Sequence, residues 1–177
     1  MKIMASYTKQ KKIITAFLLA TALLFSACRI SYKFTGASIP IEAKTISIAY
    51  FPNHAALVNP LLSQTFSEGL RDFFQRQVRL DMVERGGDLA FEGEITGYDL
   101  KPISVQEDAT SAMTRLTITV NVRYTNRYDA EADFEKSFSQ YVEFDDEVNF
   151  ASSEEELVDE ILDLLYDEIF NASLANW

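Results

Sequence analysis

The chain holds one cysteine, one histidine and one tryptophan in 177 residues, with only four prolines and six glycines. A single cysteine excludes an intrachain disulfide framework, and a lone Cys with a lone His cannot complete a Cys/His zinc site. Basic residues are also short. Sixteen Lys and Arg stand against 27 Asp and Glu, the formal net charge is −11, and no Lys or Arg follows Lys136. Such a chain lacks the basic stripe with which a nucleic-acid binder displaces counterions. What is present is core material: 47% of the residues are hydrophobic and 12% aromatic. That composition and length suit one ordinary folded domain.

The start of the chain reads differently from the rest. Lys2, Lys9, Lys11 and Lys12 give a basic head, and no acid occurs before Glu42. Residues 13–25 (IITAFLLATALLF) are then free of charge. Thirteen residues cannot span a hydrocarbon core of about 30 Å as a helix, which takes roughly 20. A basic head, a short apolar middle and the small residues Ser26 and Ala27 read as a secretory signal, 1–27. Cys28 follows at once, and the stretch resembles the lipobox of bacterial lipoproteins, with Phe25 in place of the usual leucine. The resemblance implies diacylglycerol on the Cys28 sulfur and a further acyl chain on its amine. A plain secretory signal with an incidental cysteine is the alternative. Cleavage before Cys28 removes four lysines and no acid, which takes the charge from −11 to −15. Two or more acyl chains anchor a protein stably without help from a basic patch.

Residues 28–43 contain Gly36 and Pro40 without a clear period and read as a tether; the folded domain is expected over 44–177. Residues 44–51 alternate Ile46, Ile48 and Tyr50 with Thr45, Ser47 and Ala49, which predicts a half-buried strand. Asn59-Pro60 reads as a helix start, and Leu62, Phe66, Leu70, Phe73, Phe74 and Val78 recur at helical spacing. A short strand over 79–83, a Gly86-Gly87-Asp88 turn and longer strands over 88–98, 114–125 and 132–144 follow. The last helix is expected to be capped by Ser152 or Ser153, with Glu154, Glu155 and Glu156 in its first turn. Its wet face carries only acids, so packing and not its own surface must hold it. The order predicts an α+β fold, a two-layer sandwich of a small mixed sheet with two helices packed on one face.

No catalytic constellation is legible. His54 follows a Pro-Asn turn and reads as an exposed loop residue, and Gly86-Gly87 lacks the context and the lysine of a phosphate loop. The acids fall mostly on solvent faces. No cofactor and no metal is expected. One basic cluster stands out: Arg115 and Arg123, with Arg127, on the wet face of the fourth strand, and Lys101 at the preceding hairpin. Cross-strand pairing with Glu92 and Glu94 is one reading of it; contact with an anionic lipid headgroup is the other.

FTGASIP, KTISIAYFPNHAALVNPLLSQTFSEGLRDFF, GGDLAFEGEITGYDL, TRLTITVNVRYTN, FSQY and the closing ANW together resemble the LptE family of the Bacteroidota. These are lipopolysaccharide-assembly lipoproteins of the outer membrane. The resemblance implies a small mixed sheet with two helices and no enzymatic activity. It also implies a lipid-anchored place on the periplasmic side of the outer membrane. The implied partner is the LptD β-barrel, for which the protein serves as plug and assembly chaperone in lipopolysaccharide transport. Enterobacterial members are proposed to contact lipid A through basic residues; the charge of −15 departs from that picture. An auxiliary or scaffold lipoprotein of another envelope lipid-trafficking complex is the alternative reading.

Overall fold

The computed structural model describes residues 39–57, 59–103, 113–145 and 148–175. Cys28 and the 1–27 segment lie outside the described residues, as does most of the 28–43 stretch. Five strands and two long helices follow in the order β1 (Thr45–Ile48), α1 (Leu62–Gln77), β2 (Asp81–Val83), β3 (Leu89–Ile103), β4 (Met113–Asn126), β5 (Phe134–Asp145) and α2 (Phe150–Ser173), with a short 3-10 turn, Ala130–Ala132, between β4 and β5. The sheet runs β2-β1-β3-β4-β5. β1 lies parallel to both β2 and β3, whereas β3, β4 and β5 form an antiparallel meander. The sheet is therefore mixed, and both helices cover the same face, as the patterning predicts.

The core follows from the two periodicities. Leu116, Ile118, Val120, Val122 and Tyr124 of β4 all point to the helices and are buried, while Thr117, Thr119 and Asn121 point away. On α1, Leu62, Phe66, Leu70 and Phe74 are fully buried at helical spacing. Val158, Ile161, Leu162, Leu165 and Ile169 form the matching stripe on α2. Phe74 joins the layers: its ring meets Phe91 of β3 at 4.8 Å and Phe170 of α2 at 5.5 Å, both edge-on. The helices touch where Tyr166 lies over Gly69 and its hydroxyl donates to the Thr65 carbonyl at 3.3 Å.

The elements depart from simple patterning in three places. The first strand is shorter than 44–51 and is covered on both faces, because it sits inside the sheet and the β2–β3 turn closes over it. Ser47 is buried and its hydroxyl accepts from the Gly87 amide, while Tyr50 is 57% exposed. In β3 the pairing shifts between Ile95 and Gly97, so Thr96 is the extra residue of a β-bulge. Strict alternation would turn Tyr98 outward with Glu92 and Glu94; the bulge turns it inward, where it is buried. Third, α2 begins at Phe150, about a turn before Ser153, with Asn149 at its N-cap and no acid in its first turn. Glu154, freed from the dipole role, accepts from the Tyr98 hydroxyl at 2.6 Å and from the Asn59 amide at 2.9 Å. Asn59 also caps α1, its side-chain oxygen accepting from the Leu61 and Leu62 amides.

Asp88 clasps the entry to the domain. One carboxylate oxygen accepts from the Lys44 amide, the Thr45 amide and the Thr45 hydroxyl at 2.9–3.1 Å. These hydrogen bonds, led by the one from Lys44, hold its carboxyl below the usual range. A depressed folded value means stability that is complete above the unfolded-chain value of about 3.9 and is lost as pH falls through the folded one. Urea unfolding followed from about pH 7 to about pH 3 should therefore show a steeper loss of stability in the native chain than in Asp88→Asn. Equal slopes would show that the clasp does not discriminate between the two ionisation states.

Candidate functional site: the helix-free face of the sheet

The face of β3, β4 and β5 turned away from the helices is built almost wholly from polar side chains. The bulge at Thr96 keeps it so: before it Glu92 and Glu94 face outward, and after it Asp99 and Lys101 do, opposite Thr117 and Arg115. On the other side of β4, Arg123, Asn121, Thr119, Thr117 and Arg115 stand opposite Glu135, Ser137, Ser139, Tyr141 and Glu143.

Of the four basic residues singled out in the sequence, Lys101, Arg115 and Arg123 share this face. Arg115 pairs with Glu143 through Nε and Nη2, and its guanidinium lies 4.1 Å over the Tyr141 ring. Arg123 donates to Glu135 through Nε at 3.1 Å and Nη2 at 3.0 Å, and it holds that carboxyl below its usual range. The counter-charges thus come from β5: Glu92 of β3 also stands opposite Arg123, but the guanidinium turns to Glu135, and Arg115 has Lys101 and not an acid across from it on β3. Lys101 is a strand residue directly across from Arg115, not part of a hairpin turn, and makes no ion pair among the described residues. Arg127 lies beyond the end of β4, 3.7 Å from Asp88. The Arg115–Glu143 and Arg123–Glu135 pairs are exposed, and such pairs contribute about 0–1 kcal/mol each.

Hydroxyls and amides complete the surface. Thr119 and Ser139 share a hydrogen bond at 3.0 Å, and the Asn121 amide donates to Glu135 at 3.3 Å. His54, an exposed loop residue as expected, stands 3.7 Å from Glu94. The face is polar and, where it carries arginine, internally compensated. It offers hydrogen bonds to a wet or polar partner and no nucleophile–base pair. Among the described residues no group of three His, Cys, Asp or Glu is placed to hold a metal ion, and no helix is long and apolar enough to cross a membrane.

Burial raises the phenol of Tyr98 well above its usual range, and donation to Glu154 adds to the shift, since the proton is needed for that bond. Burial likewise pushes the Tyr124 phenol up to about 12, against a smaller opposing effect of the Asn126 side chain beside it. Both groups are neutral structural phenols at ordinary pH. Sequence reasoning missed the Tyr98–Glu154–Asn59 cluster, for which Thr96-Gly97, a plausible bulge pair, was the available sign.

Residues 43–173 match the sequence profile of LptE, a lipopolysaccharide-assembly family. The chain belongs to the LptE family. LptE is a non-enzymatic family, and this member is accordingly a lipopolysaccharide-assembly lipoprotein of the cell envelope. No curated protein matches the chain. Solved structures of similar shape include a minor lipoprotein from Acinetobacter baumannii, 12% identical over 76% of this chain and 92% of that one, with a TM-score of 0.45. Lipoprotein B from Nitrosomonas europaea is 15% identical over 72% and 80%, at 0.43. The rare lipoprotein B from Shewanella oneidensis is 10% identical over 73% and 90%, at 0.39. With scores below 0.5, none of these supports the assignment, which rests on the sequence match to LptE.

Proposed function

We propose that this lipoprotein is exported by its 1–27 signal, lipidated at Cys28 and held by the 28–43 tether on the periplasmic side of the outer membrane. Its 44–177 domain then partners an LptD-type β-barrel as plug and assembly chaperone while lipopolysaccharide passes to the outer leaflet. Family membership supports the pathway. The observation that carries the barrel partnership is the one-sided architecture: two helices seal one face, and the other is a polar sheet of hydroxyls, amides and compensated charges. Large barrels have polar interiors, and such a face can fill one without leaving apolar surface in water. Lys101, Arg115 and Arg123 are the side chains through which that face would meet a lipopolysaccharide phosphate; Arg115 and Arg123 must then release Glu143 and Glu135.

The decisive experiment is affinity isolation of the lipoprotein from gently solubilised outer membrane. The expected result is a stoichiometric large β-barrel, and its absence would overturn the partnership. Cys28→Ala, which leaves no sulfur for diacylglycerol, is expected to abolish incorporation of labelled fatty acid, a readout that retention by the barrel cannot mask. Undiminished labelling of that variant would sink the anchor assignment.

A further inference from the structure

The acidic balance of the chain makes an arginine outside any direct ion pair informative, and among the described residues two such arginines line one crevice. Where β1 and β2 end, a cavity of about 810 Å³ opens between them and α1. Its walls include Arg71 of α1 and Arg85 of the β2–β3 turn, with Tyr50, Met82, Glu84 and Glu92. Gly86, at φ 67°, turns the chain at the rim, a conformation that glycine adopts without strain.

Arg71 is not a loose surface charge. It is half-buried, and its Nε donates to the Ile48 carbonyl at 3.0 Å, which leaves the guanidinium held at one corner. Its terminal nitrogens meet no carboxylate among the described residues, and neither does Arg85. The contrast with Arg115, Arg123 and Arg127, each beside its own acid, is plain. A guanidinium fixed through Nε presents its remaining donors as a fork suited to an oxyanion. Two forks from separate elements offer more donors than the two oxygens of a carboxylate can accept, so a phosphate group is the better match.

We propose that this crevice is a phosphate-group site, with Arg71 as its fixed donor and Arg85 as its mobile one. Glu84 and Glu92 line the same cavity and offset the two positive charges, so the anion is held by directed hydrogen bonds and not by a general positive field. Met82 and Tyr50 supply apolar wall beside the arginines, which suits a phosphate carried on an organic body such as a phospholipid headgroup. The site meets the polar sheet face only at its edge, through Glu92, and does not depend on the barrel partnership.

Calorimetric titration of the full-length lipoprotein in non-ionic detergent tests it, with inorganic phosphate in one arm and dihexanoylphosphatidylglycerol in the other. Both should bind, and Arg85→Gln should weaken binding about tenfold, the loss of one charge-assisted hydrogen bond. Arg71→Gln should weaken it at least as much. Arg71→Lys should rescue little, because charge is kept and the fork is lost. Arg79→Gln, an exposed change outside the crevice, should have no effect. Tighter binding of the lipid than of phosphate identifies a headgroup as the source; equal binding identifies free phosphate. Absence of binding in both arms, or equal weakening by Arg79→Gln, would overturn the site. Arg85 is exposed and makes no hydrogen bond or ion pair among the described residues, so its variant tests the site even if an Arg71 variant unfolds.

Discussion

Replacing Phe74 with alanine is expected to lower the unfolding free energy by about 3–5 kcal/mol, the range found when a fully buried aromatic ring is removed from a core. The expectation rests on position. Phe74 has no exposed surface, and its ring is packed edge-on against Phe91 below it and Phe170 beside it. It is thus the side chain through which α1, the sheet and α2 are joined, and no neighbour can move into the gap without opening another. Domains of this kind have total stabilities of about 5–15 kcal/mol, so the variant should stand near its folding limit. The adjacent Phe73, only partly buried, provides the comparison: Phe73→Ala should cost clearly less. Urea unfolding by circular dichroism would read both values. Equal losses for the two would show that the layers are not joined at Phe74.

The second large effect comes from adding a single methyl. Gly93 faces the helices from the middle of β3, and a Cβ there would run into the Asn121 backbone carbonyl and would meet the Phe51 ring at 2.6 Å. Phe51 is itself fully buried and fills the space that the missing side chain leaves. Overpacking a core costs about 1–3 kcal/mol, and more when the obstructing atom is backbone. Gly93→Ala should therefore lie at or beyond the top of that range. Pairing it with Phe51→Leu separates the two causes. The smaller side chain relieves the contact with the ring and leaves the clash with the carbonyl, so only partial recovery is expected. Full recovery would place the whole cost on Phe51 and none on the strand.

Much of the architecture was legible because its elements are amphipathic. Leu116 to Tyr124 alternate cleanly, and Leu62 to Phe74 keep helical spacing, since each element has one buried face and one wet face. The misreadings occur where that rule lapses. β1 is enclosed on both sides by its place in the sheet, a property of strand order that local periodicity does not encode. The bulge at Thr96 inverts the phase of β3, and a period-2 reading carried past it misplaces Tyr98. The start of α2 was displaced because three consecutive glutamates look like a helix first turn, whereas Glu154 is wanted one turn later as an acceptor. Arg115 and Arg123 share the wet face of β4 as their spacing predicts, but Arg127 lies beyond the strand end, and the counter-ions depend on the β4–β5 register. Arg71 and Arg85 stand on different elements, α1 and the β2–β3 turn, and share a crevice only through the packing of α1 against the strand ends, which no local pattern encodes.

The length of β3 has a consequence for how such a domain can stand at a membrane. Its fifteen residues, at about 3.3 Å each, extend over roughly 45–50 Å. The chain enters at one end of that span, where Asp88 clasps Lys44 and Thr45, whereas Ile103 and Met113 close the β3–β4 ladder at the other. A bilayer's hydrocarbon core is about 30 Å thick. Held upright by the proposed tether at the inner leaflet and shielded within a barrel, the ladder is long enough for its far end to stand level with the outer leaflet. One strand pair would then serve as a ruler across the membrane, with its foot at the clasp and its tip on the side where the lipid is delivered.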